Sequence, residues 1–317
     1  YSGNQNGGKI VNISSLSASN NSSNQESGTD NPKSLPQSLS NGLVAYYPFD
    51  GNAKDESQNT NNGSVSGASL TVDRNGNSNS AYYFNGLNQF IKINDNPSID
   101  LAEKLTLSAW VKPETQNYTG SVIQKGMLRR NWDYGLSYGS LGEISYSKSS
   151  GSAGFTDLTV DTKKWHHIAV TVDEISNQLI FFRDGIKISG AIKATSGSFD
   201  PNDLANAIKD TSNGGPLLIG HNNTQGIDGA NFKGSIDDVR IYNRALSSSE
   251  VSELYELEKP EPTLEDGLVA YYPFNGNAND ESGNGLNFKT TPKLSTDRNG
   301  ESESTSYLDS SETFSTS

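Results

Sequence analysis

The sequence predicts an all-β protein, an antiparallel two-sheet sandwich that ends in one short helix and then begins a second time. Short apolar runs divided by Gly, Asn, Asp and Ser indicate about ten to twelve strands between residues 42 and 242. No helical pattern lies between them, which excludes parallel βαβ units. A capped helix follows the last strand, and the opening stretch of the unit then recurs.

The repeat sets the predicted domain boundaries. Gly42–Ser57, GLVAYYPFDGNAKDES, returns as Gly267–Ser282, GLVAYYPFNGNANDES, with 14 of 16 positions identical. The string DRNG at 73–76 also returns, at 297–300. Landmarks that recur at offsets of 225 and 224 residues indicate a duplicated unit of whole-domain size. We predict a tether at 1–41, a domain at 42–257, a linker at 258–266 and a truncated start of a second domain at 267–317. Neighbouring copies of the domain in a longer repeat protein are therefore expected partners.

The two predicted connecting segments are polar. Residues 1–41 contain 11 serines and 8 asparagines with no hydrophobic period, which is typical of a disordered tether. Such a spacer suits a surface domain held away from an anchor or an export signal. The run Lys-Pro-Glu-Pro at 259–262 is stiff and charged, as expected of an interdomain linker.

The strands of the domain follow from apolar and β-branched runs. Leu105–Val111 is the clearest, because Leu105, Leu107, Ala109 and Val111 alternate onto one face. Asn85-Gly86 predicts a hairpin or a tight turn between two runs. The remaining runs are Leu43–Phe49, Ala81–Phe84, Phe90–Ile93, Ser121–Lys125, Tyr134–Tyr138, Trp165–Val172, Leu179–Phe182, Ile186–Ile188, Pro216–Ile219 and Gly234–Tyr242.

A short helix ends the unit. Ser247 and Glu250 have the spacing of a capping box, in which the N-cap side chain and the N3 side chain each accept from the other's backbone amide. Leu246 and Val251 flank the cap as a hydrophobic staple. Val251, Leu254 and Tyr255 then share one helix face.

With these elements in order, residues 42–257 resemble a LamG-like jellyroll, the laminin-G-type branch of the concanavalin A-like lectin/glucanase superfamily. The stretches that carry the resemblance are LVAYYPFDGNAKDES, FNGLNQFIKI, LTLSAWVKP, WHHIAVTVD and FKGSIDDVRIYNRALSSSEVSELYE. It implies a jellyroll sandwich whose first and last strands lie side by side in the centre of one sheet.

Composition excludes several classes of function. The chain has 24 basic and 37 acidic side chains, a net charge of −13 that would repel nucleic acid. It has no cysteine, so disulfides, thiolate metal sites and a cysteine nucleophile are excluded. No apolar run is long enough for a membrane-spanning segment.

Catalysis is not expected. The glucanases of the resembled superfamily carry Glu-x-Asp-x-x-Glu, or a string one residue shorter, on a strand that faces the cleft, and neither occurs here. Asp173-Glu174 and Asp237-Asp238 are adjacent pairs, whose side chains point to opposite faces of a strand and cannot flank one bond. The three histidines, at 166, 167 and 221, could suggest zinc, but structural roles are favoured.

Calcium is the predicted cofactor, in a structural role. Asp50 and Asp55 follow the first strand and Asp237 lies in the last, so neighbouring strands would bring hard oxygen ligands together. The alternative is that Asp50 and Asp55 make Asx turns and that Asp237 bonds backbone amides.

The predicted ligand site is an irregular loop at 126–133 and the residue after it. Its candidate residues are Arg129, Arg130, Trp132, Asp133 and Tyr134. Trp132 would stack on a sugar ring and the arginines would donate to hydroxyl or carboxylate oxygens. Alternatively Trp132 is a packing lid at the rim of the sheet, whereas Trp110 and Trp165 are expected in the core.

The predicted function is that of a non-catalytic binding module, extracellular or at the cell surface, for a glycan or a surface protein. This step rests on the resemblance. One alternative is a structural or adhesive spacer repeat. The other is an accessory domain of a polysaccharide-degrading enzyme.

Overall fold

The structure of the protein is a computed structural model. It describes residues 35–101, 103–114, 119–127, 131–139, 144–149, 151–155, 164–189, 192–196, 214–222, 231–261, 268–274, 277–287, 293–296, 300 and 305–307. Most of the predicted tether and of the predicted linker therefore lies outside the described residues.

Two eight-stranded sheets form the sandwich. Sheet A contains β1 (Leu43–Tyr47), β3 (Ser69–Thr71), β4 (Ala81–Asn85), β6 (Lys104–Pro113), β11 (His166–Asp173), β12 (Gln178–Arg183), β13 (Ile186–Lys187) and β16 (Lys233–Tyr242). Sheet B contains β2 (Gly63–Ser66), β5 (Phe90–Ile93), β7 (Thr119–Met127), β8 (Asn131–Gly139), β9 (Ile144–Ser149), β10 (Gly151–Phe155), β14 (Lys193–Ser196) and β15 (Leu217–Ile219). Outside the sandwich, β17 (Lys293–Ser295) pairs with β18 (Thr305–Tyr307). The helices are α1 (Gln37–Ser40), a 3₁₀ turn (Pro97–Ile99) and α2 (Ser248–Glu258).

The strand order confirms the predicted antiparallel two-sheet sandwich. Sheet A runs β13-β12-β11-β6-β16-β4-β3, and β1 also pairs with β16. Sheet B runs β14-β10-β9-β8-β7-β15-β5-β2. All strand pairs within the two sheets are antiparallel.

The core lies between the two sheets. Alternate residues of β6, Leu105, Leu107, Ala109 and Val111, are fully buried there, as their alternation predicts. They face buried residues of sheet B such as Leu136. The residues between them, Thr106, Ser108, Trp110 and Lys112, point to the outer face of sheet A, which α2 partly covers.

The turn at Asn85-Gly86 connects the two sheets. Its flanking strands β4 and β5 belong to sheet A and sheet B respectively, so the segment is a tight turn and not a hairpin. Gly86 has a φ of 79°, a backbone conformation that glycine adopts without steric cost. The turn alternative of the sequence prediction is therefore the correct one.

The first and last strands of the domain pair, as the resemblance implies. β1 runs antiparallel to β16, with Ala45 opposite Ile241 and Tyr47 opposite Val239. β16 is central, because β6 lies along its other edge. β1 is not central, because no strand of the described structure pairs with its second edge. Residues of the loop that follows β1 hydrogen-bond to that edge instead. Asn59 Nδ2 donates to Val44 O at 3.2 Å, and Tyr46 N donates to Asp55 at 3.0 Å.

The chain before β1 is held to the domain. The sequence predicts that all of 1–41 is a disordered tether, but α1 is helical and Leu39 is fully buried. Arg244 fixes this turn, donating from Nη2 to Ser38 O and from Nε to Asn41 O. The prediction fails here because a single leucine suffices to dock one turn when a guanidinium group donates hydrogen bonds to the free carbonyl groups of that turn.

Helix α2 begins as the capping box predicts. Glu250 N donates to Ser247 Oγ at 3.3 Å, and Ser247 N donates to Glu250 Oε2 at 2.8 Å. The predicted staple is confirmed, since Leu246 and Val251 lie in one buried cluster with Tyr242. This cluster fixes the helix on the outer face of sheet A.

Replacing Ser247 with alanine should lower the free energy of unfolding by about 0.5–2 kcal/mol, because the first turn loses its amide acceptor. Urea denaturation measures the loss. Ser248→Ala in the same turn is the matched control, because Ser248 is exposed and Ser249 contacts the Ser247 hydroxyl at 3.0 Å. If the two variants unfold at the same urea concentration, the cap does not hold α2.

Candidate functional site

The structure divides the five residues of the predicted ligand site. Arg129 and Arg130 lie outside the described residues. The segment is also more regular than expected, since β7 continues to Met127 and β8 begins at Asn131. Trp132 therefore lies in a strand, paired through its backbone with Gly126 and Ser149. The loop prediction was wrong at this position because β-bulges break the alternation that marks a strand.

Asp133 and Tyr134 are interior residues of the domain. Tyr134 is fully buried, and its hydroxyl donates to Ile99 O at 2.9 Å. Asp133 is also buried, with Oδ2 at 3.6 Å from Lys125 Nζ. Burial raises the pKa of the Tyr134 hydroxyl well above its ordinary value. Both side chains support the fold and are closed to an external ligand in this conformation.

The buried ammonium group of Lys125 accounts for the carboxylates that lie near Asp133. Its ammonium group is fully buried at 2.6 Å from Asp95, 2.8 Å from Asp100 and 2.7 Å from Gly215 O. Burial alone would lower the pKa of Lys125, but the hydrogen bonds to Asp100 and Asp95 outweigh it and raise the pKa. This cluster ties sheet B to the segments around the 3₁₀ turn.

The three carboxylates of the predicted calcium site have different surroundings in the structure. Asp55 accepts backbone amides from Tyr46 at 3.0 Å, Ser57 at 2.9 Å and Asn61 at 2.8 Å. Asp237 accepts from Arg74, and Asp50 is exposed. Among the described residues, no group of three or more His, Cys, Asp or Glu side chains is arranged to hold a metal ion. Asp55 and Asp237 therefore already have partners within the protein, and an ion at Asp50, Asp55 and Asp237 stays a prediction.

Asp237 belongs to an ionic network under the end of α2 that the sequence did not reveal. Arg74 bridges Asp237 at 2.6 Å and Asp238 at 2.7 Å, and its Nε donates to Glu258 O at 2.6 Å. Arg240 pairs with the Glu258 carboxylate. All five side chains are nearly inaccessible to solvent. The network locks the helix end to β16, so its acidic pair is structural.

Burial raises the pKa of Asp237, and the adjacent Asp238 adds to this effect while Arg74 opposes it. Two rings complete the network: Arg240 lies 3.8 Å above Tyr46, and Arg74 lies 4.8 Å from the centre of Trp110. Trp110 is buried as expected, and its Nε1 donates to Glu258 at 2.8 Å.

The histidines each have partners within the protein. His166 Nδ1 lies 3.0 Å from Asp184 Oδ2, and His167 Nε2 lies 2.8 Å from Ser108 Oγ. His221 packs edge-on against Phe90. Burial lowers the pKa of His167 to about 3. The imidazole of His167 is therefore neutral at physiological pH.

An open groove on the outer face of sheet A has the features of a binding site, and the sequence analysis missed it. Its volume is about 280 Å³, and it lies beyond the end of α2. Lys112, Ser235 and Tyr83 stand opposite one another on β6, β16 and β4, so their side chains share a face. Trp165 directly precedes β11 and borders Lys112 in the next register position.

Trp165 differs from its predicted place. It was expected in the core because it adjoins an apolar strand, but the indole is only half buried and lines the groove. Tyr83 is also half buried. Three strand spacings separate the two rings, a distance of roughly 14 Å. Lys112 is exposed between them.

The polar groups around the groove are held in place. Asp73 accepts from the amides of Asn75 and Asn77, both at 2.8 Å. Glu114 pairs with Lys233 at 3.1 Å. Burial raises the pKa of the Tyr83 hydroxyl, and a hydrogen bond to Glu114 adds to this.

Gly234 lets β16 approach the backbone of β6 closely beside the groove. Its φ is 137°, and a Cβ there would lie 2.3 Å from Lys112 O. Any larger residue would collide with the backbone of β6.

A second cleft, of about 580 Å³, lies at one end of the sandwich beside the 3₁₀ turn. Its lining includes Val44, Pro97 and Leu101 together with Asn59 and Asp100, and no aromatic ring. Without a flat apolar face it offers less to a sugar than the groove does.

Comparison with known proteins decides the family. A laminin G model, described as concanavalin A-like lectin/glucanases superfamily, matches residues 84–252, just over half of the chain. The chain belongs to the concanavalin A-like lectin/glucanase superfamily. Among curated proteins, adhesion G-protein coupled receptor V1 of Danio rerio is 30% identical over 164 residues, which are 47% of this chain and 2% of the receptor. The chain thus spans only a small part of that relative.

Three solved structures are similar to the chain at low sequence identity. The binding domain of Paraclostridial Mosquitocidal Protein 1 is 18% identical with a TM-score of 0.51, covering 80% of this chain and 57% of that one. Domain 4 of AbnA, an extracellular arabinanase of Geobacillus stearothermophilus, is 21% identical with a TM-score of 0.49, covering 67% and 98%. Trypanosoma rangeli sialidase is 17% identical with a TM-score of 0.47, covering 68% and 32%.

Helices in the described part of the chain are too short or too polar to cross a bilayer.

Proposed function

We propose that the domain at 42–257 is a non-catalytic carbohydrate-binding module of an extracellular or cell-surface protein. The observation that carries the proposal is the groove on sheet A, where two half-buried rings flank an exposed lysine and a serine. Aromatic faces stack on the apolar faces of pyranose rings, and polar groups beside them bind the hydroxyls. The superfamily includes both lectins and glucanases, so its membership supports a sugar ligand without choosing between binding and hydrolysis.

The acids of the groove favour binding over hydrolysis. Glycoside hydrolysis needs one carboxyl as a proton donor and a second as nucleophile or base. Asp73 accepts two backbone amides of its own loop, and Glu114 pairs with Lys233. Both carboxylates therefore already have partners within the protein. The non-catalytic character is therefore part of the proposal.

The charges around the groove favour a neutral glycan. Lys112 and Lys233 are balanced locally by Asp73 and Glu114. The chain as a whole carries −13, so an acidic sugar would approach against a repulsive field. The proposed ligand is a short neutral oligosaccharide that reaches from Trp165 to Tyr83.

The two candidate tryptophans provide a direct test. A glycan array with the full chain identifies a ligand, and calorimetry then compares Trp165→Ala with Trp132→Ala. Trp165→Ala should weaken binding at least about thirtyfold, or about 2 kcal/mol, because the stacking face is lost. Trp132→Ala should leave the affinity within about twofold of the parent.

If Trp132→Ala weakens binding and Trp165→Ala does not, the ligand site lies instead in the segment 126–134 that the sequence predicts. An array with no bound glycan would instead reject the carbohydrate proposal and favour a protein partner or a spacer role. Lys112→Ala is a second check in the groove, since it removes a donor without touching the core.

A further inference from the structure

A second aromatic surface lies beside the groove on the outer face of sheet A. Trp110 stands two residues from Lys112 on β6, so their side chains share this face. His167 stands two residues from Trp165 and is the direct partner of Trp110 across β11 and β6. Trp110 and His167 therefore form a row that runs parallel to the row of the groove, at a distance of about 7 Å along the strands.

The side chain of Tyr255, from α2, covers this second row. Its ring stacks on Trp110 with the ring centroids 5.7 Å apart and an interplanar angle of 20°. Its centroid lies 6.0 Å from that of His167. Gly185 closes the slot on another side, since a Cβ there would lie 2.8 Å from Tyr255 Cβ. The ring thus fills a slot of its own size and is itself only half buried.

This slot has the chemistry of a sugar subsite. A flat ring lying on an indole is the arrangement in which a pyranose binds to tryptophan. Polar groups border the slot as well. Asp184, the neighbour of Gly185, has a carboxylate that is 33% exposed. His167 Nε2 bonds to Ser108 Oγ at 2.8 Å, whereas His167 Nδ1 is buried and has no hydrogen-bond partner in the described structure.

We propose that Trp110 and His167 form a subsite for one neutral branch sugar, and that the Tyr255 side chain occupies this subsite until a branch displaces it. The inference rests on the proposed function, because the main chain of the glycan would lie in the groove. A sugar linked to the middle of that chain, above Lys112, projects toward Trp110. The ligand class is thus a branched neutral oligosaccharide.

Displacement requires the movement of one side chain and not of the helix. The start of α2 is anchored by the apolar cluster that contains Leu246 and Val251. Its end is anchored by the ion pair between Glu258 and Arg240. The Tyr255 ring lies between these anchors and is held by stacking, and a sugar that stacks in its place restores that contact. Rotation of Tyr255 therefore uncovers the subsite while α2 stays on sheet A.

Tyr255 would then set the preference between linear and branched glycans. The subsite is free only in the fraction of molecules whose Tyr255 ring has rotated away, and the apparent affinity for a branched glycan is reduced by that fraction. A linear glycan in the groove does not meet the ring. Tyr255 therefore acts on the branch alone and leaves the affinity of the groove unchanged.

Matched glycans and a series of variants at Tyr255 test the subsite. The probes are neutral oligosaccharides printed in pairs, each linear chain beside its form with one branch sugar, such as mannopentaose with and without a galactose branch. Calorimetry follows for the pairs that bind. Tyr255→Ala empties the slot and Tyr255→Leu fills part of it, and both residues favour a helix. Tyr255→Phe is the matched control because it keeps the ring.

Tyr255→Ala should bind branched glycans at least about tenfold more tightly than the parent, with Tyr255→Leu in between and Tyr255→Phe equal to the parent. All variants should bind linear glycans within about twofold of the parent. A purely structural role of Tyr255 would change the affinities for both classes alike, so an unchanged ratio of branched to linear affinity would overturn the subsite and leave the groove standing. If neither the parent nor Tyr255→Ala binds any probe, the proposed function and the subsite both fail.

Discussion

Replacing Arg74 with methionine should lower the free energy of unfolding by about 3–5 kcal/mol. The substitution keeps an apolar stem of similar length but leaves Asp237 buried without its guanidinium partner and Asp238 with only Arg240, at 3.6 Å. Removing one member of a buried ion pair leaves a charge that neither water nor protein compensates. Glu258 O also loses its donor, so the end of α2 should loosen.

Urea denaturation at pH 7 measures this loss, with Lys104→Met as the matched control. Lys104 forms an ion pair with Asp173 at 3.0 Å, but it is substantially exposed, and such pairs contribute at most about 1 kcal/mol. Equal midpoints for the two variants would show that the network under α2 does not stabilise the domain.

Acidification should destabilise the domain through His167. The pKa of His167 is about 3 in the folded protein because the ring is buried, whereas in an unfolded chain it is about 6.5. Below pH 6.5 the His167 imidazole binds a proton in the unfolded chain but stays neutral in the folded chain. Stability from this residue is thus present above pH 6.5 and is lost as the pH falls toward 3. Between pH 6.5 and 4.5 the loss should be about 2–3 kcal/mol.

His167→Gln separates this effect from the titration of the carboxylates. Glutamine can still bond to Ser108 but does not titrate. As the solution is acidified, the unfolding free energy of the parent should fall more than that of the variant, so the variant should become more stable relative to the parent. A difference that stays constant from pH 7 to pH 4.5 would mean that His167 is accessible to protons in the folded domain.

The predictions that succeeded from sequence concern short-range patterns. The capping box and the staple are fixed by residues three to five positions apart, and alternation in β6 depends only on the strand itself. The neighbouring positions of β1 and β16 came from the resemblance. Nothing in either strand alone indicates a partner about 200 residues away.

The missed features depend on long-range neighbours. Arg74 sits in a polar turn, and its role appears only when that turn meets β16 and the end of α2. Trp165 adjoins an apolar strand, which suggested burial, but the groove exists because no helix covers that end of sheet A in the described structure. For Asp55 the sequence left two interpretations open, because a carboxylate in an Asx turn and one in a cation site share the same sequence signature.

The direction of α2 decides how the domain would carry a load. The chain enters at Leu43, beside Tyr242, and β1 and β16 alone would peel apart if pulled from that shared end. α2 instead carries the chain along sheet A to the middle of β16, where the Glu258 carboxylate meets Arg240 and the Glu258 carbonyl meets Arg74. Tension between the two flanking segments therefore runs along the strands and meets the ionic network first. The helix that covers part of the sheet thus also acts as a mechanical clasp, because it turns a peeling force into shear.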